Sequence, residues 1–219
     1  MNLIGKNQFY FNIEVSNEQV EYTNKLVEYS IKNHNIQDIF AHDPQSRERQ
    51  REFRFTGTLG EVVFADTYNL PRPEKSFGAI DGQDLGEDFI INVNGLNYSC
   101  DVKSMSRKSN IFKKSYVLNI PAYQLQKKDI VTDYYFCISI SFISGIYIVS
   151  FLGFISKNKI LENEIGILYK SGTKRIKDDK TFFIFQRDTY EIEFEDISSP
   201  ILNDKITKIQ GFELKKLLN

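Results

Sequence analysis

The chain has 219 residues, of which 41% are hydrophobic and 26% charged, and its formal net charge is −1. That composition describes an ordinary soluble protein with room for one sizeable core with insertions, or two small domains. A near-neutral charge excludes a global electrostatic pull toward nucleic acid, so any such affinity must come from local basic patches. The two cysteines, Cys100 and Cys137, fall in strand-like apolar runs and read as buried, reduced thiols rather than a disulfide or a metal site. No basic segment followed by an apolar core opens the chain, so nothing argues for secretion and a cytoplasmic location is expected.

In chain order, Phe9 to Val15 alternates and is expected as an opening strand. Ser16 reads as an N-cap, with Glu18 in the first turn, for a helix ending near Asn33 to Asn35. Val20, Leu26, Val27 and Ile31 supply its apolar stripe. Ile36 to Phe55 is polar and contains Asp43-Pro44, Arg47, Arg49, Arg51 and Arg54. It reads either as a solvated arm, with Glu48 and Glu52 as internal partners, or as a strip that contacts phosphate. Thr56 or Thr58 is expected to cap a helix from Leu59 to Tyr68, which Val62, Val63 and Phe64 hold on a sheet. Asn69 to Glu87 is a loop punctuated by Pro71, Pro73, Gly78, Gly82 and Gly86, either lying over a substrate or merely connecting.

Asp88 to Lys103, DFIINVNGLNYSCDVK, reads as a β-hairpin around Asn94-Gly95. That turn sets Val93 opposite Leu96, Ile91 opposite Tyr98 and Phe89 opposite Cys100, which makes one apolar face. On the other face Asn92 meets Asn97, Ile90 meets Ser99 and Asp88 meets Asp101, with Lys103 following on the same side. Opposed side chains lie roughly 5 Å apart, so two acids there repel unless a cation sits between them. A divalent metal on oxygen ligands meets that need, with Lys103 neutralising charge or positioning a water. The alternative is a solvated polar face on which Lys103 simply pairs with the acids.

Beyond it, Ser104 to Ser115 is a basic loop carrying Arg107, Lys108, Lys113 and Lys114. Ser115 to Ile120 is expected as a third strand, and Pro121 starts a helix through Lys128. Thr132 to Phe142 and Ile146 to Leu152 follow as strands. The charge-free run Tyr134 to Ile155 is long enough to span a bilayer. Its β-branched and aromatic content, four serines and Ser144-Gly145 favour two buried strands joined at that glycine instead. Lys170, Lys174, Arg175, Lys177 and Lys180 form a second phosphate strip or an exposed loop. Thr181 to Phe185 and Tyr190 to Phe194 read as a hairpin around Arg187-Asp188, and Gly211 to Leu217 as a terminal helix. No internal repeat is visible.

Some chemistries find no motif here. G-x-x-x-x-G-K-[ST], G-x-G-x-x-G, H-x-x-x-H and G-x-S-x-G are all missing, and His34 and His42 are the only histidines. That argues against P-loop hydrolysis, a histidine-dependent zinc hydrolase and a Ser-His-Asp hydrolase.

The order helix, strand, strand, strand, helix, strand, with Asp88 opening one strand and Asp101-Val102-Lys103 on the next, resembles the PD-(D/E)XK nuclease superfamily. Gly57-Thr58-Leu59-Gly60-Glu61-Val62-Val63-Phe64-Ala65 matches the family's preceding helix, with Glu61 in the acidic position. Gln124, in Tyr123-Gln124, matches the glutamine that many members carry on the following helix. The resemblance covers roughly Gly57 to Ile140. There is no Pro-Asp dipeptide, and Asp81 and Asp84 compete with Asp88, which is preferred for its register opposite Asp101. The resemblance implies a restriction endonuclease-like α/β (α+β) fold, a mixed central sheet flanked by helices. Residues 1–56 would form an N-terminal strand, helix and basic arm, 57–156 the nuclease core, and 157–219 a C-terminal hairpin extension, all in one globular unit. It implies a metal-dependent endodeoxyribonuclease, most simply a Type II-like restriction enzyme. Asp88, Asp101 and Glu61 would bind Mg²⁺, for which Mn²⁺ substitutes. Lys103 would act on the attacking water and Gln124 would support it. The partners implied are double-stranded DNA and a second copy of the chain, with no membrane. A repair or phage-related nuclease and a non-catalytic nucleic-acid-binding module are the alternatives.

Overall fold

A computed structural model describes residues 7–33, 46–76, 89–93, 95–126, 132–176 and 180–219. Asp81, Asp84, Asp88, Asn94, His34, His42 and Lys177 lie outside the described residues, as does the side chain of Arg47.

Strand β1 (Phe9–Glu14) opens the fold and helix α1 (Asn17–Asn33) follows it. The Ser16 hydroxyl accepts the Gln19 N–H at 3.2 Å while the Gln19 side chain accepts the Ser16 N–H at 3.0 Å. This reciprocal pair satisfies two amides that the first turn leaves without helical partners. Helix α2 (Ser46–Tyr68) is longer than expected: it begins 13 residues before Leu59 and takes in the second half of the supposed polar arm. Arg, Glu and Gln are good helix formers, and Arg51 is anchored to Glu28 of α1 through an Nε–Oε1 pair at 2.8 Å. Thr56 and Thr58 therefore sit inside the helix, not at its cap. A second clasp joins the helices where the Arg72 guanidinium bridges Glu18 and Asp66.

The hairpin forms in the expected register. β2 (Phe89–Val93) and β3 (Leu96–Ser106) pair Phe89 with Cys100, Ile91 with Tyr98 and Val93 with Leu96. Gly95 takes φ 82°, as an Asn-Gly turn requires. Next come β4 (Val117–Pro121) and α3 (Ala122–Gln126), then β5 (Tyr134–Ile143) and β6 (Ile146–Ser156). Ser144 and Gly145 both have positive φ, 51° and 85°, and make the tight turn between β5 and β6. The charge-free run is thus a buried strand pair. No helix among the described residues is long and apolar enough to cross a membrane.

The fold is mixed α+β. Its main sheet runs in the order β11-β1-β6-β5-β3-β2, where β11 is Glu213–Lys216. All its neighbours are antiparallel except β3 and β5, which run parallel. A parallel pair needs a crossover, here built from β4 and α3. One face of the sheet packs Phe11, Val102, Phe136 and Phe151 against Leu59, Val63 and Phe64 of α2. The other packs Tyr10, Tyr135 and Cys137 against Ile120, Leu125, Ile192 and Phe194. Both cysteines are buried thiols that form no disulfide.

The third strand forms close to its expected place, whereas two late expectations fail. The strand at Val117–Pro121 belongs to a separate three-stranded sheet, β4-β10-β7, with β7 at Ile167–Tyr169 and β10 at Thr189–Glu193. The hairpin around Arg187-Asp188 does not form. β10 pairs instead with β4 and β7, where Tyr190 and Ile192 reach the core, and β9 (Phe182–Ile184) pairs with β8 (Lys174–Ile176). The terminal helix is strand β11, because the open edge of β1 offers it a ladder running from Phe9 opposite Lys216 to Asn12 opposite Glu213. That edge pairing outweighs a weak local helical pattern.

Candidate active site

Alternation along β3 sends Cys100 and Val102 into the core beneath α2 and leaves Asp101 and Lys103 on the opposite face. β5 pairs with β3 from Cys100 to Ser106. On its β2 side, β3 is described as paired as far as Cys100, opposite Phe89.

The Lys103 ammonium donates to Asp101 Oδ2 at 2.5 Å. The Asp101 side chain is 13% exposed and that of Lys103 25%, so the pair is recessed but reachable from solvent. Register places Tyr135 beside Asp101 and Cys137 beside Lys103. Lys103 Nζ lies 5.5 Å from the centre of the Tyr135 ring. Burial, and then the Asp101 charge, push the Tyr135 phenol up. Burial pushes the Cys137 thiol up as well. Both groups are therefore neutral neighbours of the ion pair at ordinary pH.

Gln124 lies on α3, whose Ala122 and Leu125 pack in the same core as Tyr135. Its Oε1 is buried and has no hydrogen-bond partner among the described residues. Glu61 is 8% exposed and follows Gly60, the point at which α2 touches β3 at Ser104. Because α2 packs on the face that carries Val102, Glu61 lies on the side of the sheet away from Asp101. The structure thus joins Asp101 to Lys103 directly, sets Gln124 in the same layer and Glu61 in the layer behind. The preferred Asp88 lies outside the described residues. Among the described residues no group of three or more His, Cys, Asp and Glu side chains could hold a metal ion. Asp101 and Glu61 offer hard carboxylate oxygens, a donor type that suits Mg²⁺ or Mn²⁺ and not a thiolate-seeking metal.

The basic segments are largely committed to the fold. Arg54 is buried and Arg51 is paired with Glu28. Arg107 donates to the Val117 carbonyl at 2.7 Å and lies over the Tyr116 and Phe194 rings. Lys170 pairs with Asp188 and Arg175 with Glu191. Tyr135 and Gly60 escaped the sequence reading. The only signal for Gly60 was a glycine inside a helical pattern. Tyr135 left no local signal, since its place beside Asp101 depends on which strand runs parallel to β3.

The chain matches no known family, no curated protein and no solved structure with which it was compared.

Proposed function

We propose that this chain is a metal-dependent endodeoxyribonuclease of PD-(D/E)XK type that hydrolyses DNA phosphodiester bonds, in the manner of a Type II restriction enzyme. The observation that carries the reading is the contact of Lys103 with Asp101 at 2.5 Å, recessed on one face of β3. A recessed carboxylate beside an ammonium, both reachable from solvent, is suited to receive a phosphodiester. The run α2, β2, β3, β4, α3, β5 gives the same helix and strand order that the resemblance implies.

Asp101 and Glu61, with Asp88, would hold Mg²⁺, which when bound supplies Lewis-acid stabilisation of charge on the phosphoryl oxygens. As an ammonium, Lys103 orients the attacking water by donating to its oxygen or offsets the charge that builds on the phosphate; only after losing a proton, as the neutral amine, would it take the water's proton at Nζ. Attack in line with the leaving oxygen then breaks the P–O bond. Gln124 is a supporting polar contact. Double-stranded DNA is the favoured substrate. A homodimer would let two sites cut both strands, and a cytoplasmic location fits such a role.

The test is cleavage of supercoiled and linear DNA with Mg²⁺, Mn²⁺ or EDTA, comparing wild type with Lys103→Ala and Asp101→Ala. Discrete metal-dependent fragments, reduced roughly 100-fold or more in each variant, support the reading. Nicking or a smear lost in the same variants favours a repair-type enzyme. Binding without cleavage, unchanged by either substitution, leaves a non-catalytic nucleic-acid-binding module and sinks the enzyme.

A further inference from the structure

β5 brings to the Asp101–Lys103 pair a side chain that the motif does not contain. Tyr135 is fully buried, at 0% exposure, and stands beside Asp101 in the parallel register. Its ring centre is 5.5 Å from Lys103 Nζ, within the roughly 6 Å over which a cation is drawn to an aromatic face. Its hydroxyl meets no hydrogen-bond partner among the described residues. A buried hydroxyl left unpaired works against folding, so the hydroxyl is not what holds this residue in place. The ring is. It packs in the core with Cys137, Leu152 and Ile155, a rigid floor beneath a flexible lysine.

We propose that Tyr135 is a positioning residue of the nuclease site, whose ring face holds the Lys103 ammonium beside Asp101. The inference rests on the nuclease reading above. A lysine side chain has four rotatable bonds, and on an exposed strand its ammonium would wander. Here Asp101 holds it from one side and the Tyr135 ring from another. When the Asp101 carboxylate turns to a different partner, the ring is a contact that remains.

A purely space-filling tyrosine would behave differently, and Tyr10 provides the comparison. It is equally buried in the same core, but its hydroxyl donates to the Asn110 carbonyl at 2.9 Å. The experiment uses the full chain as wild type, Tyr135→Phe, Tyr135→Leu and Tyr10→Leu. It reads kcat and KM for Mg²⁺-dependent DNA cleavage, the melting temperature of the metal-free protein, and the NMR shifts of the Lys103 side chain in the metal-free protein. Tyr135→Phe is expected to keep kcat within twofold and to melt no lower than wild type. Tyr135→Leu should lose kcat tenfold or more at unchanged KM, while Tyr10→Leu melts lower but keeps kcat. The Lys103 Cε protons should show a ring-current displacement in wild type and Tyr135→Phe that Tyr135→Leu abolishes. No displacement in wild type overturns the proposal even where Tyr135→Leu fails to fold. So does a phenylalanine variant as impaired as the leucine one, or an active wild type matched by Tyr135→Leu. A wild type inert on every DNA overturns the nuclease reading, and with it the role given to Tyr135.

Discussion

Gly60 of α2 and Ser104 of β3 meet with no room for a methyl group between them. A β-carbon on Gly60 would overlap the Ser104 hydroxyl and lie 3.0 Å from the Ser104 β-carbon. A glycine inside a helix ordinarily weakens it, and here the close crossing accounts for it. Gly60→Ala is expected to cost about 1–3 kcal/mol through overpacking, measured by urea unfolding. Ser104→Gly in the same chain should recover most of that loss, because the two sites share one contact. Additive losses would show that the crossing is not the reason for the glycine.

Gly153 marks a second tight approach, on the other side of β5. Its φ is 124°, a conformation that side chains rarely adopt, and a β-carbon there would overlap the Ser198 carbonyl oxygen. That carbonyl cannot simply swing away. Ser198 and Phe154 exchange N–H to carbonyl bonds at 2.9 Å in both directions, pinning the C-terminal segment to β6 beside the register shift at Cys137 and Ile138. Gly153→Ala should destabilise the protein by about 3 kcal/mol or more, combining strain with overpacking. A melting curve that matches wild type would refute this.

Lys103→Arg keeps the positive charge but exchanges a compact ammonium for a broad guanidinium that stays protonated. It cannot take a proton from water, and it does not fit the recess between Asp101 and Tyr135 in the same way. The expected outcome is DNA binding close to wild type with cleavage reduced roughly 100-fold or more, read by gel shift in EDTA and by cleavage in Mg²⁺. Full activity in the arginine variant would reduce Lys103 to a point charge.

Glu191 on β10 is 5% exposed and pairs with Arg175 at 2.6 Å, while its Oε1 meets no partner among the described residues. Burial raises its carboxyl above the ordinary glutamate value, although Arg175 pulls the other way. A raised folded value favours the protonated carboxyl in the native state. Its contribution to stability is fully present below the unfolded value and is lost as pH climbs through the folded one. Unfolding free energies measured upward from pH 4.5, the ordinary glutamate value, should fall for wild type relative to Glu191→Gln. Parallel profiles for the two proteins would show that Arg175 cancels the cost of burial.

From the sequence alone, the hairpin register, the positive φ at Gly95, the turn at Ser144-Gly145, the Ser16 cap and the burial of both cysteines all followed. Each rests on local physics: a turn dipeptide, a period of two, or a side chain within reach of its own backbone. The adjacency of Asp101 and Lys103 on one face was legible for the same reason, since residues two apart on a strand share a side. Tertiary structure alone decided the rest. The open edge of β1 turned Glu213–Lys216 into a strand. The pairing of β10 with β4 undid the expected hairpin. Contacts with α1 extended α2 back to Ser46. The parallel pairing of β5 with β3 brought Tyr135 under Lys103 across 32 residues of chain. Those outcomes depend on which distant backbone groups and apolar faces find one another. A strand edge or a ring beneath a lysine leaves no trace in the residues next to it in sequence.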